Sequence, residues 1–486
     1  MLLAPLLIPL VTALLTGLLV ARARACAAVS LAGAVLMLFG AVGLMLRVSR
    51  HGRQSLVAGD WPLPYGIELA ADGLSAALVL VIALLAVLVL VYQWRWSKPS
   101  PPAVHPLLHG VLTAAVAVSL AADLFNLYVW LELMLIAVLG LLTLGGGRAQ
   151  AEAALKYFAL SMLGTLLMLA AVGLIYGATG QLNFSALRES ARDPQTAGAL
   201  AAYTGLLVAA ILLKAGAFPL FAWLPASYHT LPAPVLALVG GLLTKVAVYV
   251  LLRLLGDVFV VTPAGLFEAL GWLSVITMVS GVLGAAYHWD VRRILAFHIV
   301  SQIGYLLLGV ALATPAAATA TTFFLFHNIL VKANLFLIAG LMWASAGHYD
   351  LRRIGGLYPA RPLLAGLFLV NAFSLVGVPP TSGFWGKLLL LQEAFAQGRF
   401  VWGGIALAVG LLTLYSMTKI WLEGFWKEQP ESAESRAPAV SPLPRGASAP
   451  VVSLSVLILM LGLYPEPFIA YLEGASDLLW AGREAP

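Results

Sequence analysis

Apolar residues run along this chain in blocks of about twenty, the length a helix needs to cross a bilayer. The blocks are parted by short polar stretches or by proline and glycine. The pattern predicts an all-α polytopic membrane protein of about fourteen transmembrane helices. Their expected centres lie near Thr12, Val35, Ile82, Ala114, Leu133, Leu166, Leu207, Leu243, Val275, Ile303, Leu330, Val370, Leu407 and Leu457. Two polar connections stand out, Arg47 to Asp72 and Gly180 to Gln195. A third stretch, Gln429 to Pro450, is rich in Pro, Ser, Ala and Glu and reads as a flexible link before the last helix.

Two of the apolar blocks are interrupted. From Ile211 to Tyr249 the chain reads ILLKAGAFPLFAWLPASYHTLPAPVLALVGGLLTKVAVY, with Lys214 and Lys245 set among apolar residues and Pro219, Pro225, Pro232 and Pro234 between them. Proline lacks the amide hydrogen and clashes with the preceding turn, so a helix broken near Gly216 and Pro219 is expected. The later segment SLVGVPPTSGFWGKLLLL repeats the device, with a break at Pro379 and Pro380 followed by Lys387. Interrupted helices at corresponding places in two halves are the mark of a repeat-built transporter. The expected division is helices 1–3 over 1–100, a first five-helix repeat over 101–258, a second over 259–428, and a link with the last helix over 429–486.

Composition narrows the function. Charged residues make up 10% of the chain and hydrophobic ones 62%, against about 25% charged in soluble domains. A net charge of +6 without a basic, aromatic-laced patch gives no sign of nucleic acid. One cysteine, Cys26, excludes an intrachain disulfide and a cysteine-ligated iron–sulfur cluster carried by this chain alone. There is no Walker A motif and no dinucleotide fingerprint, and no cofactor is expected. The first apolar block lacks a basic leader and reads as a retained helix. Loops after odd-numbered helices carry thirteen basic residues against eight on the other side, so both termini are expected outside the cell membrane.

Ionisable residues at bilayer depth are functional by default, since each costs roughly 2.5–3.5 kcal/mol to insert. Glu132, in LYVWLELML, needs a cation or a proton, and Lys214 on the broken helix is its best partner. A purely structural ion pair between two helices is the competing reading. Asp123 lies nine residues earlier, about half a turn round the helix, and with Asn126 forms a thin candidate for a cation site. Lys156 reads equally as an interfacial anchor or an internal group. His298, Ser301 and Gln302 cluster on one helix, either as a water-holding relay or as a bonded interhelical cluster. His327 and Lys332 are five residues apart, about 140° on a straight helix, so a common face requires a distortion such as a π-bulge. In order, Glu132, Lys214, Lys245, His327, Lys332 and Lys387 suggest one polar axis for protons across the bilayer midplane. The histidines lack metal-ligand spacing.

These motifs carry a resemblance. KAGAFPLFAWLP followed by PAPVLALVGGLLTKVAVYVLLR resembles the antiporter-like membrane subunits shared by respiratory complex I, membrane-bound hydrogenases and Mrp-type multisubunit cation/proton antiporters. The likeness spans roughly 70–425. FHIVSQIGY, FHNILVKANLFLIAG, LRRIGGL and VGVPPTSGFWGKL most resemble the D-subunit branch of the Mrp antiporters. The resemblance implies fourteen helices with two inverted five-helix repeats. It makes Glu132 and Lys214 a carboxylate–lysine pair, Lys245 the central lysine, His327 and Lys332 a connecting relay, and Lys387 the terminal lysine. It further implies a prokaryotic membrane, other Mrp-type subunits (A, B, C, E, F and G-like) as partners, and exchange of H+ for Na+, with K+ as a second candidate. The competing membership is a proton-pumping subunit of complex I or a hydrogenase. One departure stands in the loop after WLP: the family often has an acidic residue and a histidine there, whereas this chain reads WLPASYHT, without the acid and with His229 displaced.

Overall fold

Helix ends in this chain are written by capping side chains, prolines and glycines, and these set the element order. The structure is a computed structural model; it describes residues 2–61, 65–96, 100–429, 443, 446–476 and 479–480. Helices α1 (Ala4–Leu18) and α2 (Ala23–His51) lead to a two-stranded antiparallel hairpin, β1 (Gln54–Val57) and β2 (Glu68–Ala71). Then come α3 (Gly73–Arg95), α4 (Val104–Leu120), α5 (Leu124–Thr143), α6 (Arg148–Thr179), the short α7 (Phe184–Ser190), α8 (Pro194–Ala215), α9 (Trp223–Ser227) and α10 (Ala233–Arg253). The second half holds α11 (Leu266–Tyr287), α12 (Val291–Leu312), α13 (Pro315–Ala346), the short α14 (Leu357–Ala360), α15 (Pro362–Val376), α16 (Ser382–Ala396) and α17 (Phe400–Ile420). The chain closes with α18 (Ser448–Leu463) and α19 (Glu466–Ser476).

Each of the fourteen expected centres falls inside a helix. Among the described residues ten helices are long and apolar enough to cross a membrane, eleven if the pair α18–α19, bent by 80°, is one span. Helices α1, α4 and α15 are apolar but shorter. The chain is predominantly helical, as expected, with one short hairpin among the described residues. The polar stretch after α2 folds as the β-hairpin, whose extended chain satisfies its backbone groups strand to strand while β2 packs against α3 and α4. The other polar connection contains α7, capped by Asn183. Most of the link expected over Gln429 to Pro450 lies outside the described residues, as do Lys98, Arg436, Arg445 and Arg483.

Three helices form the centre. Every residue of α10 from Ala233 to Leu252 is buried, and α12 and α13 are nearly so. Helix α10 packs on α13, α3, α4, α8 and α12. Helices α11 and α12 approach closely through small residues. A Cβ on Gly281 would come within 2.3 Å of the Ser301 amide nitrogen, and one on Gly304 within 2.6 Å of that of Met278. Small residues are what let apolar helices pack in lipid.

The two halves use the same local devices. Asp123 caps α5 and bridges to Asn183; Asp290 caps α12 and bridges to Asp350. Helices α6 and α13 each run 32 residues. Helices α10 and α17 each run 21 residues and end in a π turn, at Leu254–Val258 and Trp421–Trp426. Between these lie the two breaks. Helix α8 stops at Gly216, φ +77°, and α15 at Gly377, φ +94°, left-handed conformations that end a helix at little cost only in glycine.

Candidate functional site

The breaks free backbone carbonyls in the interior, and lysines stand beside both. At the first, Lys214 occupies the last turn of α8. Its Nζ donates to Thr165 Oγ1 of α6 at 2.8 Å, and the same hydroxyl donates to Glu132 Oε2 of α5 at 2.7 Å. The expected carboxylate–lysine pair is therefore joined through a hydroxyl rather than directly. Thr165 escaped the sequence reading because a threonine in an apolar run usually back-bonds its own helix; the signal was its place, on the helix between the two partners. A cavity of about 30 Å³ lies beside Lys214, lined by Tyr157, Ser161, Trp223, Leu243 and Ala247 among others. That is room on the order of one water, and it faces α10.

On α10, Lys245 is wholly buried and its Nζ donates to Gly240 O at 2.8 Å. Lys332, on α13, is equally buried, and its Nζ has no protein partner among the described residues. It lies in the electrostatic field of both Lys245 and Lys387. Around this axis Thr244 Oγ1, Asn328 Oδ1, Ser374 Oγ, Ser301 Oγ and both amide atoms of Gln302 are likewise buried without protein partners. Buried polar atoms of this kind are met by ordered water, since leaving them bare costs several kcal/mol, about 1–3 by mutational scales. His298 Nε2 pairs with Ser416 Oγ of α17 at 2.6 Å, while its Nδ1 is unpartnered.

The second break is built differently. Lys387 is on α16, past the break, and reaches back to the last carbonyls of α15, Leu375 O at 3.1 Å and Val376 O at 2.8 Å. These are orphan acceptors at the negative end of a helix dipole, a natural seat for an ammonium. The Tyr305 ring lies 4.6 Å away on another side. His327 Nδ1 pairs with Ser382 Oγ, the first residue of α16, at 2.9 Å, and its Nε2 is free of protein partners. Helix α13 runs through His327 and Lys332 as unbroken α-helix. The distortion that a common face would have required is absent there; the π turns sit at the ends of α10 and α17. His327 pairs with Ser382, while Lys332 Nζ has no protein partner among the described residues.

The remaining candidates lie apart. Lys156 is on the exposed face of α6, paired with Glu152 one turn before it. His229 accepts from Arg293 at Nε2, 3.1 Å, while Nδ1 faces Pro225 O at 3.0 Å. Burial, then the neighbouring Arg293, push this imidazole down to about 4. Asp123 Oδ1 is occupied in capping the Asn126 amide at 2.8 Å, and the Asn126 side-chain nitrogen is unpartnered. No group of three or more His, Cys, Asp or Glu that could hold a metal occurs among the described residues. Lys419, not singled out by its sequence, donates to Ala286 O and His288 O at the end of α11.

Residues 121–418, from the start of α5 through most of α17, match the family model described as NADH:quinone oxidoreductase/Mrp antiporter, transmembrane. The chain belongs to this family. Among its members, the D subunit of the Na+/H+ antiporter of Alkalihalophilus pseudofirmus is 36% identical over 446 residues, 91% of this chain and 90% of that protein. A chain of the Mrp complex from a Dietzia species superposes with a TM-score of 0.88 at 31% identity, covering 98% of this chain and 97% of its own. A chain of respiratory complex I from Thermus thermophilus superposes at 0.84 with 26% identity, over 99% and 100%. The family thus spans antiporters and redox complexes, and the broken-helix lysines lie within its matched region.

Proposed function

We propose that this chain is the proton-conducting D-type subunit of a multisubunit Na+/H+ antiporter, with K+ as a second candidate cargo. It is a secondary transporter subunit and not an enzyme. The observation that carries the reading is the line of interior lysines that joins the two helix breaks: half-buried Lys214 at the first, bridged to Glu132 by Thr165, then the buried Lys245 and Lys332, and buried Lys387 at the second. The 36%-identical relative bears the name of an antiporter's D subunit, which favours this reading over the redox alternative. In the mechanism, a proton on Glu132 weakens its hold on the Lys214 charge through Thr165. The freed positive charge raises the cost of a proton on Lys245, and that change passes to Lys332 and on to Lys387. Each charge moved across 100 mV is worth about 2.3 kcal/mol, so a few coupled sites exchange energy of the required size.

The same reading holds the paired caps, equal helix lengths and paired breaks to be two inverted five-helix repeats over 101–258 and 259–428, within fourteen spans. Both termini face outward in a prokaryotic cell membrane, and Mrp-type A, B, C, E, F and G-like subunits are the partners. The test is Na+-driven proton flux in everted vesicles carrying the whole complex. Glu132→Ala and Lys214→Ala each abolish exchange while the complex still assembles; normal flux in either overturns the proposal. Mass spectrometry of the native complex separates the memberships, since flavin or iron–sulfur subunits would move the chain to a redox pump.

A further inference from the structure

Away from the lysine axis, a cavity of about 340 Å³ opens where the starts of α2 and α4 meet the end of α3. That volume is within the roughly 300–1,000 Å³ usual for small-ligand sites. Arg24, Gln93, Trp94, Trp96, Pro102 and His105 are among its lining residues. Two of these are buried polar side chains with nothing to bond among the described residues. Gln93 is 9% exposed, and neither its amide nitrogen nor its oxygen has a partner; His105 is 8% exposed with an unpartnered Nδ1. An unpartnered amide and an unpartnered imidazole nitrogen lining one cavity are costly, so native proteins rarely leave such groups without a partner. The walls add an order to the site. Trp94 is half-exposed at the helix end, Trp96 stacks on Tyr92, and Arg24 is exposed at the rim. Tryptophan and arginine at the ends of apolar helices mark headgroup depth.

We infer that this cavity is a phospholipid site. The lipid phosphodiester sits among Arg24, His105 and the Gln93 amide N–H, a headgroup hydroxyl donates to the Gln93 carbonyl, and the acyl chains leave past Trp94. A phosphodiester supplies acceptors for Arg24, the imidazole N–H and the amide N–H, while a headgroup hydroxyl supplies the donor that the Gln93 carbonyl lacks. Arg24 adds a preference for an anionic headgroup over a zwitterionic one. The inference does not depend on the antiport reading.

The test is native mass spectrometry of the full chain in its complex, delipidated in detergent and titrated with phosphatidylglycerol, phosphatidylcholine or glycerol 3-phosphate. One phosphatidylglycerol is expected to be retained per chain, and a photoactivatable analogue to label the peptide containing 93–105. Gln93→Leu with His105→Leu lowers occupancy about tenfold at fixed lipid, a change of ~1.4 kcal/mol. Arg24→Ala, an exposed change that cannot disturb packing, removes the preference for phosphatidylglycerol over phosphatidylcholine. Occupancy unchanged in the double variant overturns the inference. So does glycerol 3-phosphate binding as tightly as lipid, or photolabel that spares this peptide because another protein of the complex covers the cavity.

Discussion

Thr165→Val is the substitution that isolates the chemistry of the first lysine site. Valine keeps the branched shape of the side chain and deletes one hydroxyl, which donates to Glu132 and accepts from Lys214. Hydrogen bonds to charged groups contribute about 1.5–3 kcal/mol each. Once the hydroxyl is gone, the carboxylate and the ammonium can close toward each other and recover one such interaction. The net loss is then about 1.5–3 kcal/mol, roughly a 10- to 150-fold fall in exchange rate if the pair lies on the proton route. The hydroxyl can also hand its own proton to Glu132 while taking one from Lys214, which valine cannot do. The assay is Na+-induced collapse of a pH gradient in everted vesicles, normalised to the amount of assembled complex. Thr165→Ser restores the hydroxyl and is expected to retain most of the rate. A valine variant exchanging within about twofold of the unaltered chain would refute the argument, because no relay could then run through that oxygen.

Other consequences can be checked separately. Lys387→Met leaves the α15 carbonyls at the break without a cation and should stop exchange, whereas Lys387→Arg keeps the charge at that helix end and should keep part of it; vesicle assays on both decide. Gly281→Ala forces a methyl against the Ser301 backbone, with Ser301 N at 2.3 Å, and is expected to cost about 1–3 kcal/mol, read as a lower melting temperature of the purified protein. Asp72, at the N-cap of α3, is subject to burial, which alone would raise its carboxyl, but the bidentate Arg253 overrides this and holds it well below the usual carboxylate range. Asp72→Asn removes the charge of this partly buried pair but leaves Arg253 near Asp257 and Tyr249, so a loss of about 1–3 kcal/mol is expected in the same melting assay. His229 sits at about 4, below the ordinary value for a free imidazole, so the folded state prefers it neutral. Its contribution to stability is complete above the unfolded value, near 6.5, and fades as pH falls toward 4. Exchange between pH 7 and 9 should therefore have the same profile in His229→Gln; a changed midpoint would show that this imidazole titrates during transport.

Much of the architecture was legible in the chain because bilayer physics is strict. A span must be long, apolar and helical, so block length alone located the helices, and proline and glycine located both breaks. Deep lysines were equally plain, since water is the default home of an ammonium and each exception asks for a reason. Where reading stopped, the missing information was lateral. The hairpin at Gln54–Ala71 needs two strands to find each other, and periodicity within either short strand is too brief to announce it. The partners of His327 are equally lateral: the hydroxyl of Ser382 comes from α16, 55 residues on.

Sequence by itself determined the class of molecule, the order of its helices, the positions of the breaks and the identity of the lysines that line the interior, because each follows from the cost of placing a residue in hydrocarbon. Only the tertiary structure decided who meets whom. Thr165 stands between Glu132 and Lys214 because α6 packs beside both α5 and α8; Lys387 reaches the carbonyls of α15 because α16 folds back across its break; Gln93 and His105 share a cavity because the end of α3 and the start of α4 lie side by side. Hydrogen bonds act over about 3 Å, and distances of that order between remote residues are set by helix packing, which no single stretch of sequence contains.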